Sequence, residues 1–320
     1  MLLVIVDQDR GVLDELSLQA ITFANSVDPS APLVGLVVGA SGREVADTLG
    51  RFGFTDVYLA TAPDLNDYSA AACGRAAAEL VSTLAPTAVI AIGSQRGNEI
   101  LAHLGAILGL PVATECTSLS LGSPTHVVRA RWAGNLMESA ELHGSPAICS
   151  VVSHLAPPAA AMNQTALVTE FFPNFTDTDL AGQVRSRIAE SEGGTSLADA
   201  KVIVSGGRGV GAEGFGPLEE LAHLLAGTVG CSRVVTSAGW RPHAEQVGQT
   251  GTKVAPDLYI ACGISGATQH LAGCRNSKTI VAINTDPDSP IMAVADYAIV
   301  GDLHQILPAL VAATRTARGI

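Results

Sequence analysis

The residues from Val247 to Asn284 read VGQTGTKVAPDLYIACGISGATQHLAGCRNSKTIVAIN and decide the fold of the second half of the chain. Asp257–Cys262 is a short apolar run typical of a buried strand, and Thr279–Asn284 is a second one. The glycine-rich turn Gly263–Gly266 and a short helical pattern separate these two runs. A strand, a turn, a helix and a second strand form a βαβ unit, which predicts a site for the phosphates of a dinucleotide.

Polar residues lie where such a unit would meet a ligand. They occupy strand ends, turns and the first helical turn: Gln249, Thr250, Ser265, Gln269, His270 and Asn284. Glycines let backbone N–H groups approach an anion, and a helix N-terminus adds partial positive charge. Ordinary turn polarity, or a histidine that only packs, is the alternative interpretation of each residue taken alone.

Further elements around this unit predict a doubly wound α/β domain. The predicted strands are Lys201–Ser205, Ser232–Thr236 and Tyr297–Val300, and the predicted helices are Pro217–Ala226 and Leu303–Thr316. Arg208 lies in a glycine-rich turn after the first of these strands, where a cation suits a phosphate or an electron-rich ring. Arg233 lies at the start of the next strand, where an edge salt bridge is the alternative.

The first half of the chain alternates strands and helices, which predicts a parallel sheet with helices on both faces. The predicted strands are Leu2–Val6, Pro32–Val38, Thr55–Ala60, Thr87–Ile92 and Ala166–Phe172, and the predicted helices are Val12–Val27, Arg43–Arg51, Ser69–Leu84 and Asn98–Leu108. Three short runs, Thr125–Trp132, Leu136–Leu142 and Ala147–Val152, predict an antiparallel addition at one edge. The turn Gly93–Gly97 follows a strand and is a weaker candidate for an anion site.

Composition is consistent with two domains. The chain has 320 residues, of which 48% are hydrophobic and 15% charged, enough for two buried cores. The polar segment from Phe175 to Asp199 is the predicted linker, with a boundary near Gly194 that separates domains 1–193 and 194–320.

Charge and cysteine usage exclude several classes of function. The net charge of -12 argues against a nucleic-acid partner. No apolar run reaches the roughly 18 residues that span a bilayer, and the acidic start MLLVIVDQDRG is unlike a signal peptide. We therefore expect a cytoplasmic protein that is not a membrane protein, with a mature mitochondrial matrix form as the alternative. The six cysteines form no CxxC pair, so we expect reduced thiols and no metal site.

Five motifs, taken together, resemble the alpha subunit of electron-transfer flavoproteins. They are SGGRG at Ser205–Gly209, VGQTG at Val247–Gly251, APDLYIACGISGATQHLAG at Ala255–Gly273, KTIVAINTDPDSPI at Lys278–Ile291 and ADYAIVGDL at Ala295–Leu303. The resemblance implies an N-terminal α/β domain and a C-terminal FAD-binding domain of the deoxyhypusine-synthase-like nucleotide-binding type. It implies an electron carrier with FAD as cofactor and no catalytic residue acting on an organic substrate.

The resemblance also implies a set of cofactor-binding residues. They are Arg208, Ser232, Arg233, Gln249, Thr250, Gly263, Ser265, Gly266, Ala267, Thr268, Gln269, His270, Asn284, Asp302 and Leu303. By the family pattern, the Thr250 hydroxyl lies near flavin N5, His270 near the N1–C2=O edge and Arg233 against the isoalloxazine. Gly263–Gly266 then serves the pyrophosphate, and Asn284 with Asp302 the adenosine half.

The implied partners are a beta subunit lying against the first domain, flavin dehydrogenases such as acyl-CoA dehydrogenases, and a membrane quinone oxidoreductase. Two alternatives use the same kind of glycine-rich domain. One is an NAD-dependent enzyme, for which Lys253 is the lysine nearest the site. The other is a regulator that binds an adenine nucleotide near Gly93–Gly97. The spectrum of the bound cofactor separates these hypotheses, because NAD does not absorb in the blue.

Overall fold

A computed structural model describes residues 1–65, 67–132, 134–162, 164–184 and 196–319. The chain divides into two compact units, Met1–Ile188 and Ala189–Ile320. The predicted domain boundary near Gly194 lies outside the described residues.

The first unit is built on a nine-stranded sheet and a small two-stranded hairpin, β2–β3. Its strands are β1 (Leu2–Ile5), β2 (Gln8–Asp9), β3 (Val12–Leu13), β4 (Leu33–Val38), β5 (Phe54–Ala60), β6 (Ala88–Ile92), β7 (Val112–Ser120), β8 (Thr125–Arg131), β9 (Leu136–Leu142), β10 (Ala147–Val151) and β11 (Leu167–Phe171). The large sheet has the order β11-β5-β4-β1-β6-β10-β7-β8-β9; β8 runs antiparallel to both β7 and β9, and the other neighbouring strands pair in parallel.

Helices cover both faces of this sheet. They are α1 (Glu15–Val27), α2 (Arg43–Thr48), α3 (Ala70–Leu84), α4 (Gln95–Leu108) and α5 (Asp177–Ala181). Along β1, Leu2 and Val4 join the core formed with α1 and α2, whereas Leu3 and Ile5 join the core formed with α3 and α4. Because the central strands are buried on both faces, their sequences are apolar without alternation.

Three predictions for the first unit are wrong in detail. Ala147–Val152 was expected at an antiparallel edge, but β10 lies inside the sheet, parallel to both β6 and β7. Its unbroken apolar sequence fits that fully buried position. The antiparallel edge consists of β7, β8 and β9, and the sequence did not predict β7. Helices α1 and α4 begin at Glu15 and Gln95, capped by Asp14 and Ser94, rather than at Val12 and Asn98.

The second unit is a five-stranded parallel sheet with the order β13-β12-β14-β15-β16. Its strands are β12 (Val202–Gly206), β13 (Thr228–Cys231), β14 (Leu258–Cys262), β15 (Ile280–Asn284) and β16 (Tyr297–Val300), and its helices are α6 (Gly216–Leu224), α7 (Arg233–Ser237), α8 (Thr268–Cys274), α9 (Pro290–Val294) and α10 (Leu303–Arg318). The fold class predicted from the sequence is confirmed: both units are α/β, with a mostly parallel sheet that has an antiparallel edge in the first and a parallel sheet in the second.

The prediction of a strand at Ser232–Thr236 is wrong. The strand β13 ends at Cys231, and Ser232 has the extended conformation of a residue that precedes a helix. The β-branched residues Val234, Val235 and Thr236 favoured a strand, but they form α7 instead. Arg233 is therefore the first residue of a helix.

The last helix, α10, buries one stripe of apolar residues. On α10, Leu303, Leu307 and Val311 recur every four residues and pack into the core, while most of the other residues are exposed. Among the described residues, no helix is both long and apolar enough to cross a membrane.

Candidate functional site

The site lies at the carboxyl edge of the second sheet, at the point where the strand order reverses. The chain passes from β12 to β13 on one side and then to β14 on the other side of β12. In open parallel sheets, ligands bind in the crevice outside the strand ends at such a switch point.

Two glycine-rich turns form the floor of this crevice. The turn after β12 packs against the turn after β14, because Gly207 N donates to Cys262 O (2.8 Å) and Gly209 N to Gly263 O (3.2 Å). A Cβ atom at Gly207 would collide with the Gly263 carbonyl, so this approach requires glycine. Gly263 has φ +61°, which a larger side chain would strain.

A cleft of about 810 Å³ opens above these turns and has room for a large cofactor. Twelve of the fifteen predicted cofactor-binding residues line it: Arg208, Ser232, Arg233, Gln249, Thr250, Gly263, Ser265, Gly266, Ala267, Gln269, His270 and Asn284. They come from five separate segments of the chain, so the sheet brings together residues that are far apart in sequence.

Three of the fifteen predicted cofactor-binding residues do not line the cleft in the described part of the chain. Thr268 is the first residue of α8 and is exposed. Asp302 caps α10 by accepting a hydrogen bond from His304 N (2.9 Å). Leu303 is only 5% exposed and belongs to the apolar core. The roles that the resemblance implies for them remain predictions.

Two arginines supply positive charge to the cleft. Arg208 lies in the turn after β12 and Arg233 opens α7, and both side chains are exposed. Within the described part of the chain, neither guanidinium forms an ion pair. Their charge is therefore available to an anion or an electron-rich ring.

His270 is buried at the wall of the cleft, with 7% of its surface exposed. Its Nε2 lies 2.9 Å from the hydroxyl of Tyr259, a residue that is itself fully buried. Burial lowers the pKa of His270 to about 4, because a charged imidazolium is poorly solvated there. The side chain is thus neutral near pH 7 and can act through a hydrogen bond rather than a full charge.

Asn284 ties the end of β15 to the turn after β14. Its Nδ2 donates to Ile264 O (2.9 Å), and its Oδ1 accepts from Asp286 N (3.0 Å). Ser265 is held by its carbonyl, which accepts from Ile291 N (3.1 Å). These bonds fix the shape of Gly263–Gly266 before any ligand binds.

Nine residues of the cleft lining were not among the fifteen predicted contacts, although Ile264 lies within the assigned turn Gly263–Gly266: Gly209, Val234, Ser237, Gln246, Val247, Gly248, Ile264, Asp286 and Ser289. Gln246 is the most informative, because it is a polar residue only 2% exposed. Its position directly before the VGQTG motif was the available signal. Sequence alone does not separate a buried glutamine from an exposed one in a turn.

The turn Gly93–Gly97 in the first unit has a different environment. Arg96 pairs with Asp7 (3.4 Å) and Asp9 (3.1 Å) and lies 4.4 Å from the ring centroid of Tyr68. Two carboxylates thus neutralise the one cation of the motif. This arrangement disfavours the anion site suggested for this turn.

Comparison with known proteins places the chain in a family. Residues 196–275 match the model of the electron transfer flavoprotein FAD-binding domain, and residues 2–173 match that of the electron transfer flavoprotein domain. The chain is 35% identical over 315 residues to the electron transfer flavoprotein subunit alpha of Thermoanaerobacterium thermosaccharolyticum, with 96% of each chain covered. It is 34% identical to that of Bacillus subtilis, covering 94% of this chain and 93% of the relative. For the mitochondrial subunit of Oryza sativa subsp. japonica the identity is 35%, covering 96% and 88%.

The chain belongs to the electron transfer flavoprotein alpha-subunit family. Its cofactor is FAD, and the matched FAD-binding domain carries most of the cleft. The residues present fit that cofactor: two glycine turns that admit backbone N–H groups, two arginines that face the cleft, and a buried neutral histidine.

Proposed function

We propose that this chain is the FAD-binding subunit of a heterodimeric electron carrier. It takes electrons from flavin dehydrogenases such as acyl-CoA dehydrogenases and passes them to a membrane quinone oxidoreductase, without acting on an organic substrate of its own. The observation that carries the proposal is the convergence of twelve predicted FAD contacts on one cleft. In this proposal the N-terminal α/β domain comprises residues 1–193 and the FAD-binding domain residues 194–320.

Bound FAD supplies reversible uptake of electrons, and the residues of the cleft bind and orient it. Arg233 provides a cation for the isoalloxazine, whose N1–C2=O edge gathers negative charge on reduction. Arg208 adds to that field, and the turn Gly263–Gly266 offers backbone N–H groups to the pyrophosphate. The adenosine half is assigned to Asn284 and Asp302.

His270 acts at the N1–C2=O edge as a neutral hydrogen-bonding group. Its Nε2 lies 2.9 Å from the Tyr259 hydroxyl, and its Nδ1 is buried. The positive charge of the site therefore comes from the arginines rather than from His270.

Exposed apolar residues near one turn of the first unit support a beta-subunit partner. Trp132, Leu136 and Met137 are 80%, 55% and 58% exposed, and they lie at or near the turn that joins β8 and β9. Clusters of exposed apolar residues, especially with tryptophan, mark protein interfaces. We expect Trp132→Ser to weaken the heterodimer at least tenfold, measured by sedimentation of labelled subunits.

The function is tested with the chain co-purified with its beta subunit. The complex is mixed with an acyl-CoA dehydrogenase and its acyl-CoA, and bleaching of the flavin band is followed before and after a quinone oxidoreductase is added. Bleaching followed by recovery supports the proposal. A complex that carries FAD but is reduced only by NADH would contradict the assigned donors, and a complex that binds NAD instead of flavin would refute the carrier function.

A further inference from the structure

Gln246 occupies a fixed, buried position beside the cleft. It is 2% exposed and lines the cleft just before the turn Val247–Gly251. Its backbone N–H donates to His243 O (2.9 Å), and its carbonyl accepts from Thr252 N (2.7 Å). Both main-chain groups are bonded, so the backbone from which the side-chain amide projects is held in place.

The amide connects two threonine hydroxyls. The Thr236 hydroxyl donates to Gln246 Oε1 (2.6 Å), and Gln246 Nε2 donates to Thr250 Oγ1 (3.0 Å). An amide nitrogen only donates, and a threonine hydroxyl has a single proton. The Thr250 oxygen is therefore an acceptor toward Gln246, and its proton is left for another partner.

Thr250 is exposed and lines the cleft, so its remaining proton can reach a ligand there. We propose that Gln246 is a positioning residue that makes the Thr250 hydroxyl a hydrogen-bond donor to the cofactor. The Thr236 hydroxyl also has Arg233 O within reach (3.0 Å), so the direction of this chain of bonds rests on the contact between Gln246 Nε2 and Thr250 Oγ1. The inference rests on the proposed function, in which the Thr250 hydroxyl meets the unprotonated N5 of oxidised flavin.

The inference is tested by a double-mutant cycle on the complex with the beta subunit, from which FAD has been removed. FAD affinity is titrated by flavin fluorescence for the original protein, Gln246→Met, Thr250→Val and the double variant. One lost hydrogen bond weakens binding about threefold to tenfold, so we expect that loss for Gln246→Met. In the Thr250→Val background the same substitution should have almost no effect, since no hydroxyl remains to be oriented.

A merely structural role would give a different pattern. If Gln246→Met weakened FAD binding equally in both backgrounds, Gln246 would act by holding the turn, and the inference would be wrong. Thr316→Val, which removes an exposed hydroxyl on α10, is the matched control for threonine substitution and should leave FAD affinity unchanged.

A second variant keeps the test decisive if Gln246→Met does not fold. In Gln246→Glu both carboxylate oxygens only accept, so Thr250 must donate to them and is withdrawn from the cofactor. We expect a loss of FAD affinity at least as large as that of Thr250→Val, and a much smaller loss once Thr250 is valine. An equal loss in both backgrounds would overturn the inference. If the original complex bound no FAD at all, the proposed function would fail instead, and the two failures are thus distinguishable.

Discussion

The turns Gly93–Gly97 and Gly263–Gly266 each follow a buried parallel strand of one unit, yet their surroundings differ. In the first unit, Gly93 N donates to Val151 O (2.7 Å), and Ser94 Oγ accepts from Gly97 N (2.9 Å). A Cβ atom at Gly93 would meet Val151 O and Glu115 Oε1, so protein atoms fill the space around that turn. In the second unit, the turn Gly263–Gly266 borders about 810 Å³ of open volume.

Glycine allows another group to approach the backbone closely, but it does not determine whether that group is a protein atom or a ligand. In the first unit, the neighbouring arginine is neutralised by two aspartates of the same sheet edge. In the second unit, Arg208 and Arg233 face the cleft, and the described residues offer them no carboxylate partner within salt-bridge distance. A packed turn and a cofactor site differ in whether the nearby arginine is paired with a carboxylate, and not in their glycine pattern.

The largest effect is expected from a methyl group in the turn of the cleft. Gly266 has φ +79°, and an added Cβ would collide with the backbone of Ile291. Strained backbone and overpacking together cost about 2–5 kcal/mol. Gly266→Ala should therefore weaken FAD binding by about a hundredfold, measured by titration of the FAD-free complex.

Gly93→Ala is the matched variant in the packed turn. It also creates a clash, so we expect a lower thermal unfolding midpoint for the first unit but unchanged FAD affinity. Loss of FAD affinity in Gly93→Ala, or its retention in Gly266→Ala, would contradict the distinction between the two turns.

Two buried titratable groups, His270 in the second unit and Asp7 in the first, should contribute to the acid response in opposite directions. Burial lowers the pKa of His270 to about 4, so the unfolded chain binds the proton more readily below pH 6.5. The FAD-free second unit should thus lose up to about 3 kcal/mol of stability between pH 6.5 and 4. Burial instead raises the pKa of Asp7 beside Arg96, so acid favours the folded first unit at that group.

Urea unfolding at several pH values measures this response. His270→Gln, which does not titrate, should flatten the loss in the second unit. If the pH slope of that unit were the same with glutamine, the buried neutral histidine would not be its cause.

The smallest of these effects comes from removing one arginine from each region. Arg233→Ala removes a cation that faces the cleft and should weaken FAD binding about tenfold to a hundredfold. Arg96→Ala removes the ion-pair partner of the partly buried Asp7 carboxyl and should destabilise the first unit by about 2 kcal/mol without loss of FAD affinity. Equal FAD affinities for the two variants would remove the role of Arg233.

The sequence predicted the fold class and most of the cleft lining, because both depend on local patterns. The residues after β12, β14 and β15 sit at strand ends, where periodicity and glycine already predict a common sheet edge. The prediction of a strand in place of α7 followed side-chain branching, and the extended conformation of Ser232 before the helix is not visible in the sequence. The Arg96 ion pairs and the amide of Gln246 depend on contacts between distant segments, which local pattern does not contain.

The most direct test of the cofactor site is hydrogen–deuterium exchange of the complex with and without FAD. We expect slower exchange at residues 246–251 and 263–270 when FAD binds, and unchanged exchange at residues 93–97. Protection at 93–97, or equal exchange at 263–270 in both states, would contradict the assignment of the cofactor to the second unit.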